Sequence, residues 1–211
     1  PTITQNQIQW VQKNLQKDGN ILVFIHAAGW NFGQGFEKNI KALSGINVKC
    51  DLKRDVLYRY ALKKFSDPLS NALGFQQTTT SGPLFYVSDS SSQPLAVLES
   101  DNSKVIAAVK RHNNWTAVYL SPPGGITPSF LRALAKAAGI TPIGPEGDVT
   151  HAGNGFISLH AIESGRKTLH LRAKSDLYDL FDNKCVAKAV TEYSFNLKTG
   201  ETKWFRRSQA K

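Results

Sequence analysis

Two cysteines, five histidines and sixteen acidic residues are the groups in this 211-residue chain whose types could do chemistry, and their spacing decides which reactions stay open. A thiol nucleophile on a strand-to-helix elbow needs small residues beside it, so that the sulfur is exposed at a tight turn. Cys50 sits in Val48-Lys49-Cys50-Asp51-Leu52 and Cys185 in Asn183-Lys184-Cys185-Val186-Ala187, with no glycine within two positions of either. Neither belongs to a C-x-x-C pair or has a histidine at metal-ligand spacing. They read as two free thiols, with one disulfide between them as the alternative in an oxidising compartment. Glycoside hydrolysis needs two carboxylates facing each other across a sugar. Glu37, Asp51, Asp55, Glu99 and Asp101 are available, but no spacing singles out a pair, and Asp176 and Asp179 read as solvated acids at a strand edge. Gly29, Gly33 and Gly35 follow an apolar run without forming G-x-G-x-x-G, so they read as a sharp loop rather than a dinucleotide site. His160 and His170 fall in alternating patterns and read as structural. His26 ends the apolar run, where open α/β sheets place ligands, although a satisfied buried histidine is the commoner use. Trp30, Phe32 and Phe36 surround the Gly-rich loop and suit either stacking on sugar rings or, more commonly, packing against a neighbouring domain. With His26, Tyr58, Tyr60 and Trp115 they are the candidate ligand or domain contacts. No catalytic residue, metal site or cofactor is expected.

Those residues must be positioned by the elements around them. Ile21 to Ile25 is apolar at every position, the pattern of a strand covered on both faces in a parallel sheet. A helical stretch, Glu37 to Leu43, follows the loop and is closed by Gly45. Upstream, Thr4 and Gln7 have capping-box spacing, Ile8, Val11 and Leu15 share one helical face, and Gly19 stops the helix. Helix followed at once by buried strand is half of a parallel crossover unit. Its other half would precede Pro1. The chain contains no Met, and together these features predict a processed or cut product, truncated at its N-terminal side.

Residues 48–73 fit either strand or short helix. Four closely spaced strands are then predicted at Leu84–Val87, Leu95–Glu99, Val105–Arg111 and Trp115–Leu120, separated by polar turns that leave no room for helices. That part of the sheet should be antiparallel. Thr127-Pro128 opens a helix with Phe130, Leu131, Leu134 and Ala138 on one face. From Asp148 the pattern is alternating, in Phe156–His160, Lys167–Leu171, Leu177–Phe181, Thr191–Leu197 and Thr202–Arg206. Five or six strands at this spacing predict a small antiparallel β-sandwich. Two domains are expected, residues 1–146 and 147–211.

Composition sets further bounds. Hydrophobic content of 41% and charged content of 20% are those of a globular chain. No run approaches the ~18–20 apolar residues of a membrane span, and no stretch of these residues reads as a signal peptide, which says nothing of a parent protein. The net charge of +10 is spread evenly, with 15 Lys and Arg against 10 Asp and Glu over residues 1–150 and 11 against 6 over residues 151–211. No basic block stands out, so a nucleic-acid partner is not expected.

The order of these features resembles a known family. NILVFIHAAGW, a Gly-rich loop, NIKALSGI, then SPPGG and PSFLRALAKAAGI are similar to the class I glutamine amidotransferase-like domain of family-42 β-galactosidases, called their trimerisation domain. The stretch from GFISLHAIESGRKTLHL through DLYDLFDNK to TKWFRR is similar to the small β-domain that ends many glycoside hydrolases. The resemblance implies an α/β fold, a flavodoxin-like or amidotransferase-like sheet with helices on both faces, followed by the β-sandwich. It also implies an inactive accessory and assembly region. The sugar-cleaving carboxylates would lie in an upstream catalytic domain of the same protein, and the whole would be secreted or periplasmic. A homo-oligomer and a carbohydrate are the further partners it suggests; a membrane is not. A stand-alone carbohydrate-binding module is the first alternative, using Trp30, Phe32, Tyr58, Tyr60 or Trp115 as an exposed platform. A hydrolase in its own right is the second.

Overall fold

The computed structural model describes residues 3–31, 35–52, 55–61, 63–74 and 77–209. The chain divides into two compact units, Pro1–Ala138 and Gly139–Lys211. No helix among the described residues is long and apolar enough to cross a membrane.

In the first unit, α1 (Gln5–Asn14) starts as its sequence predicts. The Thr4 side chain accepts from the Gln7 amide, and the Gln7 side chain accepts from the Thr4 amide, which satisfies two of the amides a helix start leaves unpaired. The chain turns at Gly19, whose φ of 75° suits a residue without a Cβ, and enters β1 (Asn20–Ile25). β1 runs parallel to β6 (Trp115–Leu120), with Asn20 opposite Trp115 and Ile25 opposite Leu120. The other pairings described in this sheet are antiparallel. They join β2 (Val48–Asp51), β3 (Leu84–Val87), β4 (Gln93–Leu98) and β5 (Asp101–Arg111). The order is β1-β6-β5-β3-β2, and β4 adds to β5.

Alternation along β6 sends side chains to two apolar clusters. Ala117 and Tyr119 join Phe85 and the α2 (Phe36–Ser44) residues Phe36 and Ile40. Val118 and Leu120 join Tyr58, Tyr60 and the α3 (Pro128–Ala137) residues Phe130 and Leu134. Residues 48–51 settle as strand, and Pro68–Ala72 forms a 3-10 turn whose N-cap, Asp67, accepts from the Leu69 amide.

The flavodoxin-like, amidotransferase-like sheet with helices on both faces does not form. The molecule is mostly β, 44% strand against 17% helix, with a curled first sheet and a separate second sheet. A doubly wound fold needs a crossover helix between successive parallel strands; here β3 to β6 follow one another through short turns. The apolar run did become a parallel strand, but at the edge of the sheet, with Ile21 to Ile25 half-buried. An apolar run records a preference for burial, not the direction of its neighbours or its place in the order.

In the second unit, β7 (Val149–Gly153), β8 (Phe156–His160), β9 (Gly165–Asp179), β10 (Cys185–Leu197) and β11 (Thr202–Gln209) form one antiparallel sheet, ordered β10-β9-β11-β8-β7. The expected sandwich is met only in its antiparallel strands and single core; the strands make one hydrogen-bonded sheet, not two stacked ones. Two of the expected strands are one. Lys167–Leu171 and Leu177–Phe181 belong largely to β9, which runs through the mainly polar residues 172–176 without a break. β7 had no expected counterpart, since five mainly exposed residues give no apolar alternation. Ile157, Leu159, Leu169, Leu171, Leu177 and Phe205 build the core of this unit.

Candidate functional site

The carboxyl ends of the parallel pair β1 and β6 converge on His26. Its φ of 51° is a left-handed value uncommon for a residue with a side chain. His26 Nδ1 lies 2.8 Å from the Ser121 carbonyl, and the Tyr119 hydroxyl donates to the His26 carbonyl at 2.6 Å. The imidazole meets Phe85 edge to face at 4.7 Å between centroids and Tyr58 at 6.1 Å. Burial lowers its pKa, against the opposing hydrogen bond to Ser121. His26 is thus a half-buried histidine whose Nδ1 and backbone carbonyl are both partnered.

Trp30 and Phe36 come together over Phe85, with centroids 5.7 Å apart and with Phe85 5.8 Å from Trp30 and 4.8 Å from Phe36. Beside them opens a groove of about 410 Å³, lined by Trp30, Phe36, Glu37, Lys38, Cys50 and Leu52. Its chemistry is limited. Burial, then the charges of Asp51 and Glu37, push the Cys50 thiol up to about 11, so the thiolate that would act as nucleophile is scarce at neutral pH. Glu37 is held by Lys49 at 2.7 Å. Cys50 and Cys185 are both free thiols.

The remaining candidates separate. Tyr58 is fully buried, accepting from the Phe85 amide and donating to the Pro83 carbonyl, both at 2.9 Å. Tyr60 is buried in the same cluster, and burial raises its hydroxyl pKa strongly. Trp115 is buried and stacked on His112 at 4.1 Å. Phe36 is buried as well, and Phe32 lies outside the described residues. The structure therefore groups His26, Trp30, Phe36 and Tyr58 around Phe85, a residue with no distinguishing sequence signal, and removes Tyr58, Tyr60 and Trp115 from any exposed platform. The exposed large rings include Trp10 in the first unit and Phe156, Phe181 and Trp204 in the second.

The buried carboxylates are committed to ion pairs. Asp67 meets Arg111 at 2.7 Å, Asp89 meets Lys110 at 2.9 Å, Asp148 meets Lys167 at 2.6 Å and Asp179 meets Lys203 at 3.1 Å. Asp179, expected at a solvated edge, is buried. Burial alone would raise Asp89, Asp148 and Asp179, but hydrogen bonds from lysine, hydroxyl or backbone donors outweigh it and hold all three below the usual carboxylate range. His160 Nδ1 lies 2.8 Å from Thr202 Oγ1 and His170 Nδ1 2.8 Å from Glu192, both structural pairings. No group of three His, Cys, Asp or Glu among the described residues could hold a metal ion.

No family model matches the chain, and no curated protein does. Solved structures do. The β-galactosidase from Bacillus circulans sp. alkalophilus superposes with a TM-score of 0.58 at 14% identity, over 98% of this chain and 32% of that one. Gan42B, a GH42 β-galactosidase, gives a TM-score of 0.57 at 11% identity, over 99% of this chain and 30% of its own. The polyextremophilic β-galactosidase of the Antarctic haloarchaeon Halorubrum lacusprofundi gives 0.56 at 11%, over 97% and 30%. At these identities the likeness is one of fold. This chain spans about a third of the length of the β-galactosidases it matches, and what it shares with that third is the fold. The expectation of an amidotransferase-like sheet gains nothing from it.

Proposed function

We propose that the chain is a non-catalytic accessory and assembly region of a larger carbohydrate-active protein, a glycoside hydrolase whose catalytic domain lies upstream. One observation carries this reading, that nearly the whole chain superposes on about a third of a β-galactosidase; a second agrees with it, since the buried carboxylates are each tied to a cation. A glycosidase acid or nucleophile must instead face a cleft with a second carboxyl group ~5–10 Å away. Trp30 and Leu52, which flank the groove beside Cys50, suit contact with another domain, where amphipathic rings are enriched.

The test compares two proteins. The isolated 211-residue chain should release no nitrophenol from a panel of p-nitrophenyl glycosides. The protein encoded by the complete gene should hydrolyse at least one of them, and deleting this region should change its assembly state in sedimentation. Turnover by the isolated chain would overturn the reading, and so would a complete gene product that loses neither assembly nor activity on deletion.

A further inference from the structure

The exposed rings of the second unit share one face of its sheet. Ile157, Leu159, Leu177 and Phe205 point into the core, so their sequence neighbours on the same strands point outward. Directly paired residues of adjacent strands lie on the same side. Register then sets Phe156, Arg206 and Tyr178 in one outward row, and His151, Ser158 and Trp204 in the next. Phe156 is 42% exposed and Trp204 41%. The Arg206 guanidinium lies 4.6 Å from the Tyr178 ring centroid, and among the described residues no carboxylate pairs with it. Asp176, on the same face of β9, already accepts from the Ala189 amide at 2.8 Å.

This face mixes rings with hydrogen-bonding groups at the spacing of neighbouring strands, ~4.8 Å. Phe156 sits opposite Arg206, and the exposed His151 shares the row of Trp204, while Ser158 between them is buried. The apolar, charge-depleted centre of a protein-docking patch has a different texture, and two copies of this face laid together would bury an unpaired guanidinium from each. A pyranose ring has the matching alternation, with an apolar C–H face to lie on an aromatic ring and hydroxyls around its rim. A carboxylate on the sugar complements Arg206, whose planar fork suits bidentate pairing.

We propose that this sheet face binds an acidic oligosaccharide, with a pyranose ring stacked on Trp204, a neighbouring one against Phe156 and a uronate carboxylate on Arg206. The site shares no residue with the groove beside Trp30 and does not rest on the accessory reading. The experiment is calorimetric titration of the 211-residue chain with tetragalacturonate, using its methyl ester as the uncharged control. Tetragalacturonate should bind at least about tenfold more tightly than the ester, the worth of one charge-assisted contact. Trp204→Ala should weaken binding by about tenfold or more, and Arg206→Gln should bring the acid down to the affinity of the ester. Trp30→Ala should change nothing, and unchanged circular dichroism should accompany each variant. Absence of binding, equal affinity for acid and ester, indifference to both second-unit variants, or loss of binding in Trp30→Ala would each overturn the proposal. So would a Trp204→Ala variant that dissociates an oligomer of the chain in sedimentation.

Discussion

The two units differ in how many of their aromatic rings the sheet covers. In the first, Tyr58, Phe85, Trp115, Tyr119 and Phe130 are buried, because apolar clusters lie on both sides of the sheet and each outward turn of a strand finds another core. In the second, one cluster occupies one side, and rings at alternate positions, Phe156 and Trp204 among them, remain in solvent. Aromatic content therefore says little about exposure. What decides it is whether a second layer of side chains covers the other face of the sheet.

Ring truncation gives the largest test of that contrast. Phe85 lies at 0% exposure between His26, Trp30 and Phe36, so Phe85→Ala should cost the first unit about 4 kcal/mol in urea unfolding, the usual range for a deleted core ring. Trp204→Ala should shift the stability of the second unit by no more than about 0.5 kcal/mol, as exposed substitutions do. Comparable losses would break the distinction between the two sheets.

Glycine replacement sharpens it. Gly45 has a φ of 70°, and a Cβ there would run into the His112 ring. That ring is held by stacking on Trp115 and by a 2.9 Å contact of Nε2 with the Ser44 carbonyl. Gly45→Ala should cost about 3 kcal/mol, from left-handed strain plus displacement of a packed ring. Gly200 has a φ of 80° with open space around it, so Gly200→Ala should cost only the conformational part, about 1–2 kcal/mol. Equal losses at the two sites would mean that packing around Gly45 adds nothing.

The third test is a pH dependence. Asp89 is held below its usual value of 3.8 by hydrogen bonds from Ser91, Lys110 and the Asn47 amide, which together outweigh its burial. A depressed carboxylate adds stability that is complete above its unfolded pKa and is lost as pH falls through the folded one. The first unit should therefore weaken below about pH 4. Asp89→Asn should lower stability at pH 7 by about 2 kcal/mol, the worth of charge-assisted hydrogen bonds, and should flatten this acid limb. A mutant with the same acid limb as the parent would show that Asp89 does not carry it.

The sequence was most legible where a local interaction decides the outcome. Thr4 with Gln7, Gly45 and Thr127-Pro128 set helix ends at Gln5, Ser44 and Pro128, whereas Gly19, expected to stop the first helix, lies beyond its end at Asn14, which Leu15 caps. The polar stretches between residues 84 and 120 likewise marked four strands and their antiparallel course, although Asp101 to Ser103, expected as a turn, opens β5. It was least legible where partners are distant. That β1 would lie at an edge depends on which strand joins its other side, and nothing in Ile21 to Ile25 encodes that. The candidate site shows the same division. His26 and Trp30 stood out by their place after the apolar run, whereas Phe85, on a strand separated from β1 by β6 and β5, enters only because its ring reaches theirs, and no spacing links residue 85 to residue 26.

By itself, then, the sequence determined the local elements and their caps, and the presence of alternating strands after Asp148. Near-neighbour hydrogen bonding and steric preference act within a few residues and are written into the residue types. Strand order, the curl of the first sheet, the continuity of β9 and the inward or outward fate of each ring were decided only in the tertiary structure. Burial is shared among residues far apart in the chain: Tyr58 is covered because Leu84, Leu120 and Phe130 belong to its cluster, and Trp204 is open because its neighbour Phe205 takes the core position on β11.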